Sequence, residues 1–163
     1  MKKYNNDIEL KEYFEKFDLV GLCETWSDFT GEFSSFLNGY ACFDNVRDKG
    51  RGWRNSGGVN VFVKNSIVHK FEVARIYSEF ENCVLLYFNT SMFHRMQDII
   101  FCFTYISPEG SVVYNRSDEK DGVKILENYL LTVKSEYPDC LFFIAGDLNA
   151  RTKNFLDFIP EDN

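Results

Sequence analysis

The apolar positions of the chain fall into short dense runs separated by polar stretches bearing glycine or proline, and they take helical spacing in only two places. From Asp7 to Phe17 (DIELKEYFEKF), Ile8, Leu10, Tyr13, Phe14 and Phe17 recur near the helical period, with Asn6 or Asp7 as N-cap, so a helix is predicted there. From Asp118 to Tyr137, Val123, Leu126, Leu130 and Val133 repeat the pattern, and Pro138 closes it. Strands are expected at Leu19–Cys23 (LVGLC), Tyr40–Val46, the alternating VNVFVK that begins at Val59, Ile67–Ile76, Asn82–Asn89 and Asp98–Ile106. Pro108 ends the last of these, because it has no N–H to extend a ladder. Ser27–Gly39 is polar with scattered Phe and reads as a surface loop or a short helical turn. A helix feeding a buried strand at each end of the chain, with a run of strands between, predicts an α/β architecture.

The stretch around which the rest is organised is Leu141–Arg151, LFFIAGDLNAR. Its unbroken apolar run reads as a strand buried on both faces, and Gly146 lets the backbone turn at its end. Asp147 and Asn149 then alternate with Leu148, so both polar side chains are expected to emerge on one side while Leu148 stays packed. A carboxylate and an amide on the rim of a sheet can accept a proton and donate a hydrogen bond; the same residues also make an Asx turn that merely closes a core strand. Glu24, at the end of LVGLC, is a second rim carboxylate, or else a turn or cap residue. Tyr105, at the end of DIIFCFTYI, is a third polar side chain at a strand end, or else a core tyrosine with a satisfied hydroxyl.

Composition narrows the choices. At 163 residues the chain is sized for one domain or a large piece of one, and 45% hydrophobic with 17% aromatic content is enough for a real core. A formal charge of −7 argues against binding nucleic acid by bulk charge, though not against an enzyme that grips phosphates at a few points with a metal to offset its acids. The most basic segment is Arg47–Gly58, RDKGRGWRNSGG, in which Arg51 and Arg54 either touch phosphate oxygens or belong to a solvated loop. The cysteines Cys23, Cys42, Cys83, Cys102 and Cys140 form no CxxC pair, which suits a reducing compartment and predicts no disulfide-linked partner. MKKYNNDIEL lacks the apolar core of a secretory signal, and no run approaches the ~20 residues that span a bilayer. The expectation is a soluble intracellular protein of the cytoplasm or nucleus, without a membrane partner.

Four pieces now stand in order at strand ends: CETW (Glu24), GGVNVFVK, TYISP (Tyr105) and IAGDLNAR (Asp147, Asn149). Together they resemble the endonuclease/exonuclease/phosphatase superfamily, and more narrowly the apurinic-type endonuclease domain of non-LTR (LINE-like) retrotransposons. The resemblance implies a DNase I-like four-layer α/β sandwich, present as a single partial domain over residues 1–163. It implies Mg²⁺-dependent (or Mn²⁺-dependent) phosphodiester cleavage with DNA as substrate, the nick priming reverse transcription in a parent element. By that resemblance Glu24 holds the metal, Tyr105 hydrogen-bonds the scissile phosphate, Asp147 positions and deprotonates the attacking water, and Asn149 contacts the phosphate. The residue types suit those roles: a hard cation takes carboxylate oxygens, a carboxylate serves as general base, and neutral donors stabilise charge developing on phosphate. Two family features have no match: the first strand with its Asn, and the Ser-Asp-His segment, whose context neither His69 nor His94 shares. The chain is therefore expected to be a fragment incomplete at both ends, with weak activity or none. The alternatives are a catalytically dead binding module or transposon relic, and a phosphoesterase of the same fold with another substrate.

Overall fold

The computed structural model describes residues 7–46, 57–76, 82–93, 96–108, 111, 114 and 118–149. In chain order these form α1 (Ile8–Phe14), β1 (Leu19–Cys23), β2 (Tyr40–Asn45), β3 (Val59–Lys64), α2 (Asn65–Lys70), β4 (Ala74–Ile76), β5 (Cys83–Phe88), β6 (Ile99–Tyr105), α3 (Gly122–Glu136) and β7 (Leu141–Asp147). The strands make two sheets, β1-β3-β2 and β4-β5-β6-β7. Every pairing is antiparallel except β6 with β7, which run parallel because α3 carries the chain back between them.

Three apolar clusters define four layers. Between the sheets, Val59, Val61 and Val63 of β3 face Val84 and Leu86 of β5, all fully buried. Outside the first sheet, Phe33, Phe36, Leu37 and Tyr40 close over Val20 and Phe62, with Phe14 of α1 packed against them. Outside the second sheet, Leu126 and Val133 of α3 cover Cys83, Leu85, Ile100 and Cys102. β3 alternates between the inner and the outer cluster along its length, so its Val and Phe positions are buried on both faces. The expected α/β sandwich is the one observed.

The sheets approach closely at β1. Gly21 carries no side chain there, and a Cβ in its place would stand 2.3 Å from the Phe103 ring of β6. A second tie runs from Asn45 Nδ2, which donates to the Cys83 carbonyl at 2.9 Å.

Several local expectations differ from the structure. The segment expected as one strand over Ile67–Ile76 is α2 followed by the short β4, and His69 is an exposed helical residue. Ile67 and Val68 reach the inter-sheet cluster from a single helical turn, so tertiary contact overrides β-branched propensity. α1 ends at Phe14, three residues before its expected end, where the Glu15 N–H bonds the Lys11 carbonyl. Ser27–Gly39, expected as a surface loop or a short helical turn, does form turns (Ser34 N to the Gly31 carbonyl, Phe36 N to the Phe33 carbonyl), but it supplies Phe33, Phe36 and Leu37, each 2% exposed, to the core. The apolar run expected to be buried on both faces is exposed at Leu141, Phe143 and Ile144, and Leu148 is likewise exposed rather than packed. Among the described residues β7 is the last strand of its sheet, and α3 covers only part of one face of it. No disulfide joins the five cysteines, and no helix among the described residues is long and apolar enough to cross a membrane.

One polar knot holds the start of β6. Asp98 Oδ1 accepts from the Thr90 backbone N–H at 2.7 Å and from Thr90 Oγ1 at 3.1 Å, while Oδ2 accepts from the Tyr87 hydroxyl. Those donors hold the Asp98 carboxyl below the ordinary 3.8, the Tyr87 hydroxyl contributing most. The same bond, with burial, pushes Tyr87 up to about 12 from 10.0. Because the folded-state value of Asp98 is depressed, its contribution is complete above the unfolded carboxylate pKa and fades as pH falls through the folded one. The Tyr87 contribution is complete below about pH 10 and fades as pH rises toward 12. Asp98→Asn is expected to cost about 1–3 kcal/mol at neutral pH and nothing once the wild-type carboxyl is itself protonated. Urea denaturation across pH 2 to 7 measures it, and a constant difference at every pH would contradict this account.

Candidate active site

Three strands bring side chains to one rim of the sandwich: β1 ends at Cys23, β6 at Tyr105 and β7 at Asp147. Tyr105 and Asp147 are register partners, so they share a sheet face, the one that carries Phe103 and Phe101 and turns toward the other sheet. The Tyr105 ring is 8% exposed within the inter-sheet cluster, whereas Asp147 is exposed. From the facing sheet the Cys23 thiol donates to the Thr104 carbonyl at 3.7 Å. Burial pushes that thiol above its ordinary 9.0; the Asp147 backbone N–H pulls it down, and the carboxylates of Asp147 and Glu24 push it up. Glu24 follows Cys23 directly in the chain, and Thr104, whose carbonyl takes the Cys23 thiol, pairs with Gly146 next to Asp147, so the strand ends carrying the two acids are neighbours.

The turn that carries Glu24 is under backbone strain. Glu24 and Trp26 lie at φ 55° and 54°, a left-handed conformation that costs about 1–3 kcal/mol for residues with side chains and persists only where the surroundings impose it. Here the surroundings are specific. Thr25 N donates to the Gly58 carbonyl at 3.3 Å and Trp26 N to the Gly57 carbonyl at 2.9 Å. Those carbonyls are reached because Gly57 and Gly58 sit at φ 84° and 87°. Below the turn, Ser27 Oγ shares a hydrogen with Thr25 Oγ1 at 3.2 Å and donates to Asn60 Oδ1 at 3.4 Å. Asn60 in turn donates to Cys42 Sγ at 3.6 Å, which fixes the turn to the middle of its sheet. Above it, the Trp26 indole N–H donates to Glu24 Oε2 at 2.8 Å and orients the carboxylate.

At the other acid, the Asn149 backbone N–H donates to Asp147 Oδ1 at 3.0 Å, an Asx turn with Asn149 at φ 44°. Asn149 Nδ2 donates to the Ile106 carbonyl at 2.7 Å, and Ile106 N donates back to the Asp147 carbonyl at 2.8 Å. The Asn149 amide is therefore turned toward the end of β6, with one of its two N–H groups engaged there.

The structure brings Glu24, Tyr105, Asp147 and Asn149 to this rim; Arg51, Arg54 and His94 lie outside the described residues. Two residues that sequence reasoning passed over belong with them. Asn60, buried inside VNVFVK, anchors the Glu24 turn, and a lone amide in an apolar strand was its signal. Asn82 accepts from Tyr105 N at 2.9 Å and from Thr104 Oγ1 at 3.0 Å through its carbonyl, while its buried Oδ1 has no hydrogen-bond partner among the described residues.

Glu24 and Asp147 supply hard oxygen donors, whereas the Cys23 thiol, kept protonated by burial, is a poor partner for Mg²⁺. Among the described residues no group of three or more His, Cys, Asp and Glu is assembled. One or two carboxylates are what Mg²⁺ commonly takes from a protein when water and substrate phosphate complete its shell, so the donor set fits that ion.

Solved structures match the chain over nearly its whole length. An AP endonuclease from Leishmania major matches 97% of it at 20% identity and a TM-score of 0.67. A Danio rerio TDP2 complexed with single-strand DNA product matches 93% at 15% identity and a TM-score of 0.53. A truncated Caenorhabditis elegans TDP2 matches 95% at 13% identity and a TM-score of 0.54. This is the DNase I-like endonuclease/exonuclease/phosphatase fold. The chain spans 54%, 56% and 59% of those three chains, about half their length. No protein-family model and no curated protein matches it.

In this endonuclease/exonuclease/phosphatase fold, Gly146 sets the exit direction of β7. It lies at φ 127°, and a Cβ there would stand 1.9 Å from the Thr104 carbonyl oxygen of the paired strand. Backbone cannot move aside as a side chain can. Gly146→Ala is expected to cost about 2 kcal/mol or more in urea denaturation, since it adds strain and overpacking together. A loss below about 0.5 kcal/mol would show that the β6–β7 rim yields freely.

Proposed function

We propose that the chain carries part of a Mg²⁺-dependent DNA endonuclease of retrotransposon type, a hydrolase of phosphodiester bonds. The observation that carries the reading is that the Cys23–Thr104 contact brings the strand ends bearing Glu24 and Asp147, from two different sheets, to one rim together with Tyr105. Support comes from the order CETW, GGVNVFVK, TYISP, IAGDLNAR, and from solved neighbours of the same fold that include an AP endonuclease and a TDP2 complexed with single-strand DNA product.

The division of labour is the one the family resemblance implies, and the local hydrogen bonds support it. Glu24, with Oε2 held by the Trp26 indole, offers its carboxylate to the cation. When bound, Mg²⁺ supplies Lewis-acid polarisation of a phosphoryl oxygen and offsets the acidity of the rim. Asp147, with Oδ1 fixed by its own turn, orients the attacking water and takes its proton. Tyr105, anchored in the inter-sheet core, and the remaining Asn149 N–H donate to phosphate oxygens as charge develops on them. Rigid strands on either side keep these groups in register.

Supercoiled-plasmid nicking by the folded chain tests this. Slow nicking is expected with Mg²⁺ and none with EDTA, and the nick should present a 3′-hydroxyl that a polymerase extends. Asp147→Ala should lower the rate by at least about 100-fold, the usual worth of a general base. Glu24→Gln should raise the Mg²⁺ concentration needed for half-maximal rate. A cooperatively folded chain that neither nicks nor responds to Asp147→Ala would leave a binding module on this fold.

A further inference from the structure

We propose that Trp26 is a stacking surface for a nucleobase of the strand whose phosphodiester lies between Glu24 and Asp147, an inference that rests on the DNA reading above. Trp26 is 54% exposed at the rim of the candidate site, two residues from Glu24. An exposed tryptophan is usually mobile, but this one is fixed three times over. Its backbone is held at φ 54°, its N–H is bonded to Gly57 at 2.9 Å, and its indole N–H is bonded to Glu24 at 2.8 Å. The fold thus maintains strain to hold an apolar face open beside the acids, which is how a preorganised contact lowers the entropy cost of binding.

The chemistry of that face selects its occupant. With the indole N–H engaged by Glu24, what remains open is a π surface without a donor, so it can stack but not read a base edge. A base attached to a phosphate held at Glu24 lies within one nucleotide of it. A chain of formal charge −7 gains little from counterion release, so stacking, which does not depend on neutralising phosphates, supplies affinity that the charge does not. The substrate class that follows is a strand with an unstacked base next to the cleaved bond, tolerant of base identity.

The chain contains two tryptophans, so Trp53→Phe leaves Trp26 as the only indole emitter. That variant is titrated, with Ca²⁺ replacing Mg²⁺, with a short oligothymidylate and with a base-free deoxyribose-phosphate oligomer of equal length. The oligothymidylate should quench Trp26 emission and bind about tenfold more tightly than the base-free oligomer, which should quench little. Adding Trp26→Ala should bring oligothymidylate affinity, read by anisotropy of a labelled strand, down to the base-free level. Trp26→Phe should keep it within about threefold, because a smaller ring still stacks. Equal affinity for the two oligomers, or full affinity in Trp26→Ala, overturns this inference and leaves the DNA reading standing. If neither oligomer binds the parent chain, both fall.

Discussion

The close contact of β1 with β6 is the constraint from which the rim follows. Gly21 lies so near Phe103 that any side chain there would enter the ring, and two residues on, the Cys23 thiol meets the Thr104 carbonyl. Those contacts set the lateral offset of one sheet on the other. The offset brings the end of β1 to the ends of β6 and β7. Behind the contact, Val59, Val61, Val63, Val84 and Leu86 are fully buried, each such side chain contributing about 1.5–3 kcal/mol. The rim side chains are thus positioned by the dry interior between two sheets, and the loops only finish the job.

That division explains what the sequence made legible. Apolar runs end where a strand leaves the core, so Glu24, Tyr105 and Asp147 could be placed on strand exits from the pattern alone, and the sandwich follows from the runs and helices around them. Conformations imposed by distant partners were not legible. Nothing in CETW announces left-handed backbone at Glu24 and Trp26, because that geometry is imposed by the Gly57 and Gly58 carbonyls more than thirty residues downstream. Ile67 and Val68 suit a strand by propensity and a helical turn by contact, and contact decided. Phe33, Phe36 and Leu37 lie in a polar stretch whose short-range pattern conceals that three apolar residues suffice to cap a sheet.

β7 shows a different limit. Composition reports what a strand could bury, whereas exposure depends on what lies beside it. Leu141, Phe143 and Ile144 are 45%, 53% and 49% exposed on a strand that, among the described residues, pairs on one side only, and a cleft of about 730 Å³ opens between this strand and α3, lined by Leu126, Leu130, Phe142 and Ile144. An apolar edge of this kind is a poor place to hold a side chain rigid, since among the described residues half of its backbone lacks a ladder partner.

Asp147 nevertheless ends that strand, and the chain compensates locally. Ile106, just past β6, binds the Asp147 carbonyl through its N–H at 2.8 Å and the Asn149 amide through its carbonyl at 2.7 Å. The Asx turn closes the loop between those two bonds at 3.0 Å, and Gly146 makes the approach possible. The Asp147–Asn149 segment is therefore fastened to β6, a strand paired on both sides, more than to the edge strand that delivers it. The spacing of Asp147 and Asn149 acquires a mechanical reason by this route: one residue fewer would leave no amide to reach Ile106, and Asp147 would move with the edge.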